Sequence, residues 1–169
     1  MRKLLDGIYN SAAALAALFM VALLLAVLLS IVSRQLHFHA PGVDAYAGYL
    51  MAASGFLALA HTLKRGEHIR VTLLLNALQG RWRKGMAVFA LLLAILLALL
   101  FAFYSCKLAW QSHVFNDIST GNDATRLWIP QLSMAVGAVI FAIAFIDEAV
   151  LELLGRRVQT ASAEALRNE

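Results

Sequence analysis

Residues 7–33 read GIYNSAAALAALFMVALLLAVLLSIVS, 27 positions between Asp6 and Arg34 without a charged side chain. A helix rises about 1.5 Å per residue and needs about 20 apolar residues to cross roughly 30 Å of hydrocarbon. This stretch is long enough to span a bilayer, and longer than the ~7–15-residue core of a secretory signal. Ser33-Arg34-Gln35-Leu36-His37 follows it and offers no small-residue cleavage site, so the segment reads as a retained helix. Three further charge-free gaps, between Asp44 and Lys64, Lys84 and Lys107, and Arg126 and Asp147, hold 19, 22 and 20 residues. The expected fold is all-α and integral to the membrane. Four transmembrane helices are placed near 10–32, 45–63, 85–106 and 127–147.

Composition agrees. Of 169 residues, 62% are hydrophobic and 14% charged, and mean hydropathy is +0.75. A soluble domain carries about 45–50% apolar and about 25% charged residues. A soluble enzyme and a disordered tail are both excluded on these grounds. One transmembrane domain is expected over 1–155, with a cytoplasmic tail over 156–169. The net charge of +4 is assigned to cations at membrane-helix ends, not to a nucleic-acid surface. Cys106 is the single cysteine, so neither an intrachain disulfide nor a zinc cluster is available.

Cation placement sets the orientation. With four spans, both termini and the 64–84 connection share one side, which holds eleven Lys and Arg; Arg34, Lys107 and Arg126 lie on the other. The positive-inside rule therefore predicts N-in and C-in. The 34–44 and 107–126 segments would face the periplasm of a Gram-negative inner membrane.

The spans differ in texture. The second is dense in small residues, including Ala45, Gly48, Ala52, Ala53, Ser54, Gly55 and Ala60. Small residues let helices approach closely in lipid, so this helix is expected to be the most buried. The third carries Leu all around over 91–100 and reads as lipid-facing. Ala12, Ala13, Ala16 and Ala17 in the first span, at i, i+4 spacing, and Ser133–Gly137 and Ala138–Ala142 in the fourth, mark seams within the chain or against a partner. Between spans two and three, Val71, Leu75, Leu78 and Trp82 recur at i, i+4, i+7, i+11 opposite Thr72, Asn76, Gln79 and Arg83. That pattern predicts an amphipathic helix over about 68–83, lying in the cytoplasmic interface and meeting anionic lipid headgroups.

The span centres lack chemistry. An ionisable group inside the membrane would be a functional site by default, and none occurs at any centre. A proton-coupled four-helix exporter, which needs an embedded carboxylate, is excluded. Ser54 is a mid-span hydroxyl and reads as helix glue. Pro130 falls in the first turn of span four, where proline is tolerated. Five histidines raise a haem-binding electron-transfer anchor as an alternative, but His61 and His68 leave the same short stretch, and His37, His39 and His113 lie in periplasmic segments. No nucleophile–base pair, carboxylate dyad or phosphate-cradling glycine loop appears, so the chain is not expected to be an enzyme or to hold a cofactor. A self-associating four-span protein is the other alternative.

Several motifs in order carry a family resemblance. Val43-Asp44 is followed by Tyr46 and Tyr49, and Arg65-Gly66-Glu67-His68-Ile69-Arg70-Val71 closes span two. Ser119-Thr120-Gly121-Asn122-Asp123-Ala124-Thr125 then runs into Leu127-Trp128-Ile129-Pro130-Gln131, with Gly137 beyond. Together these resemble the small, DctQ-type membrane subunit of a tripartite ATP-independent periplasmic (TRAP) transporter. The resemblance implies a non-catalytic scaffold beside a large elevator-type membrane subunit, which binds substrate and sodium. It also implies a periplasmic substrate-binding protein as transient partner, and organic acids as substrates. Gly66, Glu67, His68 and Arg70 are expected to form a structural corner between span two and the interfacial helix. Asp44 is expected to cap span two. Trp128, with Pro130 and Gln131, is expected to anchor span four and offer contact to the other subunits.

Overall fold

A computed structural model describes residues 2–38, 40–65 and 80–153. They form four helices: α1 (Arg2–Gln35), α2 (Val43–Lys64), α3 (Gly80–Val114) and α4 (Trp128–Leu153). Each is long and apolar enough to cross a membrane. The helices overrun the charge-free gaps. α1 and α3 have 34 and 35 residues, about 50 Å at 1.5 Å per residue, against roughly 30 Å of hydrocarbon. Most of the expected interfacial helix, residues 68–79, lies outside the described residues. Its expected last turn, 80–83, is instead the start of α3. Arg and Lys are good helix formers, so the backbone stays helical through the cations that set the sequence boundary.

α1 packs along α2, α2 along α4, and α4 along α3. α1 barely reaches α4, and α1 and α3 have no close backbone approach among the described residues. The order is thus an open row, α1–α2–α4–α3, and not a closed bundle. Both inter-helix connections described, 36–42 and 115–127, lie at one end of the row, the two-loop end.

Small residues make the seams, because in lipid packing and not water exclusion drives helix association. α1 buries Tyr9, Ala12 and Ala16, and its one extensive neighbour is α2. α4 carries two seams. Gly137 meets the backbone of Phe56 in α2, so closely that an added Cβ would lie 2.6 Å from the Phe56 carbonyl carbon and oxygen. Ala138 and Ala142 meet Ala98 and Ala102 of α3 in one buried cluster. Burial in α3 continues through Ser105, Ala109 and Ser112, a stripe at helical spacing within the Leu-rich helix. A third cluster joins three helices through Tyr9, Ala60, Leu63 and Ala144. The inner helices α2 and α4 are buried to a similar degree, with five buried residues each among 22 and 26. On α2 these lie on one face, and the other small-residue face is not covered by the chain itself.

Span hydroxyls are satisfied locally. Ser54 donates to the Met51 carbonyl at 2.9 Å, Thr62 to Leu59 at 2.9 Å and Ser133 to Pro130 at 2.6 Å. Ser54 is buried and bonded within its own helix, which fits the glue reading.

Candidate functional site

The polar chemistry of the described residues gathers at the two-loop end. α1 and α3 both stop there in the same way. The Phe38 N–H donates to the Ser33 carbonyl at 3.1 Å, and the Asp117 N–H to Ser112 at 3.0 Å. His37 and Asn116 sit between with φ of 55° and 52°. These are helix stops with a left-handed residue after the last turn, which satisfy otherwise orphaned carbonyls. Past Asn116 the chain doubles back. Ser119 N–H donates to Thr125 at 2.8 Å and Leu127 N–H to Asp117 at 3.0 Å, around the Ile118–Arg126 antiparallel bridge.

Asp123 fastens this loop to α2. Its Oδ1 accepts from Ser119 Oγ at 2.8 Å and its Oδ2 from Tyr49 Oη at 3.0 Å. The Thr125 hydroxyl also bonds the carboxylate and lies 3.2 Å from Tyr46 Oη, whose ring meets Tyr49 edge-on at 6.1 Å. The hydroxyls of Thr125 and Ser119, with smaller help from Tyr49 and the backbone, hold the Asp123 carboxyl at about 2, against the opposing pull of partial burial. Hydrogen bonds to the charged form favour it. Gly42 completes the contact. It sits at φ 77°, and a Cβ there would lie 2.8 Å from Asp123 Cβ, so both conformation and space require glycine.

Asp44 does not cap α2. Gly42 holds the N-cap position without a side-chain bond, and the Asp44 carboxylate turns to α1. It accepts from Ser30 Oγ at 2.7 Å and pairs with Arg34 Nη2 at 3.0 Å. The pair is exposed, so it positions the helix ends more than it stabilises them. At the opposite end Lys64 Nζ pairs with Asp6 at 2.7 Å and lies 5.8 Å from the centroid of the Tyr9 ring.

Trp128 opens α4 and packs edge-on to His113 at 5.2 Å, while His113 stacks on Trp110 at 6.5 Å. Pro130 is half-buried in the first turn. Gln131 Oε1 is buried and accepts no hydrogen bond among the described residues. Asp44, Trp128, Pro130 and Gln131 thus share the two-loop end, and the Asp123 clasp joins the two loops between them. Gly66, Glu67, His68 and Arg70 lie outside the described residues. Reading by sequence singled out none of Gly42, Tyr46, Tyr49, Ser119, Asp123 and Thr125 as site residues. The available signal was an acid set among hydroxyls in Ser119-Thr120-Gly121-Asn122-Asp123-Ala124-Thr125. Its partners on α2 are 74 and 79 residues distant in sequence.

Among the described residues no three His, Cys, Asp or Glu side chains converge. The described histidines divide between the two ends of the row: His61 is in the last turn of α2, whereas His37 and His113 are at the two-loop end. The arrangement is a structural one, holding loops and helix ends in register. No curated protein matched the chain. A family model does match residues 23–155, that of the tripartite ATP-independent periplasmic transporters, DctQ component, and the chain belongs to that family.

Proposed function

We propose that this chain is the small, non-catalytic subunit of a sodium-coupled TRAP importer of organic acids in a bacterial inner membrane. It lies N-in and C-in, with its two-loop end in the periplasm, as the eleven-to-three division of cations supports. It serves as scaffold for the large elevator-type subunit, where sodium and substrate bind, and needs no cofactor of its own. The periplasmic binding protein docks transiently at the loops.

The observation that carries the scaffold reading is the free face of α2. Gly48, Ala52 and Gly55 share one stripe, opposite the buried Ala53, Leu57 and Ala60, and all three are exposed. A Cβ added at Gly48 or Gly55 would meet nothing within 4 Å. Small side chains gain little against lipid tails but let another helix approach closely. The test is co-purification with a co-expressed large TRAP membrane subunit. Gly48→Leu with Gly55→Leu should reduce recovery of that subunit while the chain itself remains folded. Unchanged recovery refutes this face as the docking surface. Transport by the isolated chain in liposomes refutes the scaffold role.

A further inference from the structure

The end of α3 carries an apolar knuckle that none of the clasp contacts uses. Trp110 and Phe115 are 70% and 72% exposed, and Val114 and Ile118 are 53% and 57% exposed. We propose that this knuckle, with Lys107 and Arg126, is a phospholipid-binding anchor seated at headgroup level in the leaflet at the two-loop end. Three observations support it.

The first is continuity. Trp110 and Val114 lie on a helical stripe with Phe103, and Phe115 on one with Tyr104 and Leu108, all of them exposed. The exposed stripes lower down α3 therefore continue into the knuckle, interrupted by Lys107 on the first and Gln111 on the second. The second is height. The apolar part of α3, Val88–Val114, has 27 residues, about 40 Å of helix against roughly 30 Å of hydrocarbon. Its last turns therefore reach the headgroup zone. The third is the pairing of apolar and cationic groups. Arg126 stands directly across the bridge from Ile118, and side chains so placed share one face. Exposed Lys107 lies one turn before Trp110 and is long enough to snorkel to phosphate. Aromatic rings with nearby cations suit the bilayer interface. The Asp123 clasp holds the loop from the other side, so the knuckle is presented outward and cannot fold over its own apolar surface.

The proposal rests on the chain spanning the membrane, and the test separates the two. Cys106 is the only cysteine, so Cys106→Ser with Phe115→Cys gives one nitroxide-labelled site. The full chain is reconstituted in phosphatidylethanolamine–phosphatidylglycerol vesicles. Relaxation by dissolved oxygen and by an aqueous nickel chelate is then compared. Oxygen should dominate, with a depth at the headgroup–acyl boundary. Dominant relaxation by nickel would mean that the knuckle projects into water, as a site for a soluble protein would, and overturns the proposal. Low accessibility to both would mean cover by protein, and overturns it equally. Ile118→Cys repeats the measurement should the label at 115 disturb folding. Leu24→Cys, within the charge-free run of α1, is the control: nickel access there would defeat the membrane-spanning reading itself.

Discussion

Gly137 offers the sharpest quantitative test of the row. Replacing it by alanine places a Cβ 2.6 Å from the Phe56 carbonyl carbon and oxygen, and 2.9 Å from Phe56 Cβ. Carbon atoms rest at about 3.5–4.0 Å, so α2 and α4 must separate by roughly 1 Å at their crossing. The colliding atoms are two backbone atoms and a Cβ fixed by the backbone, and no rotamer change relieves them. Trimming Phe56 to alanine should not rescue the variant, because the carbonyl and Cβ remain. Overpacking of this kind costs about 1–3 kcal/mol, and each 1.4 kcal/mol is about tenfold in the folding equilibrium. Gly48→Ala and Gly55→Ala are the matched controls, since a Cβ at either meets nothing within 4 Å. They should change stability by less than ~0.5 kcal/mol, or raise it by up to ~1 kcal/mol through helix propensity. The assay is SDS-driven unfolding in mixed micelles followed by circular dichroism. Gly137→Ala should unfold at clearly lower SDS than either control. Equal midpoints for all three variants would refute the close α2–α4 crossing.

The clasp predicts a titration. With its carboxyl held at about 2, Asp123 contributes fully above about pH 4, the ordinary carboxylate value, and loses that contribution as pH falls through about 2. Carbon-13 NMR of labelled aspartate should place its midpoint near 2, and Ser119→Ala or Tyr49→Phe should move it upward; an unmoved midpoint would refute the hydrogen-bonded origin. Gly42→Ala should release the 117–126 loop to faster hydrogen exchange, since alanine is strained at φ 77° and collides with Asp123. Ala102→Leu should weaken the α3–α4 seam by about 1–3 kcal/mol, whereas the exposed Leu100→Ala should cost less; the same SDS titration ranks them. The purified protein should show no Soret absorption, because His61 lies at the other end from His37 and His113, and those two stand at the ends of α1 and α3, which do not approach each other; a Soret band would restore the electron-transfer alternative.

Much of the helix layout was legible because charge is excluded from hydrocarbon whatever the tertiary arrangement. The charge-free gaps locate all four helices, and Gly137 and Ala138–Ala142 proved to be seams within the chain; of the four alanines marked in α1, Ala12 and Ala16 are buried, Ala13 is half-buried and Ala17 is exposed. Two features were hidden. In α3 the runs of leucine over 91–100 mask the sparser stripe Ala98, Ala102, Ser105, Ala109 and Ser112, whose signal lies in spacing and not in abundance. The clasp was hidden for a different reason. Tyr49 and Asp123 are neighbours only because α2 and the α3–α4 loop end at the same height, which no local pattern records. Asp44 shows the same limit. An acid near a helix start suggests a cap, but Ser30 and Arg34 on the preceding helix compete for it and prevail.

An open row leaves uncovered faces on its inner as well as its outer helices, and their composition separates two kinds of neighbour. The free surface of α3 carries Leu92, Leu93, Leu96, Leu97 and Phe103, bulky groups that pack well against acyl chains. The free surface of α2 carries Gly48, Ala52 and Gly55, which would leave shallow, poorly filled contacts with lipid. Both surfaces are apolar, so hydropathy alone does not distinguish them. Since lipid tails are as apolar as leucine, the distinction must come from packing: a helix that exposes glycine where leucine would serve is shaped for close approach by another backbone. Composition alone favoured α2 as the most buried helix. The structure shows that the chain covers only the Ala53–Leu57–Ala60 side. The remaining side is the part of the molecule for which a protein neighbour, and not the bilayer, makes physical sense.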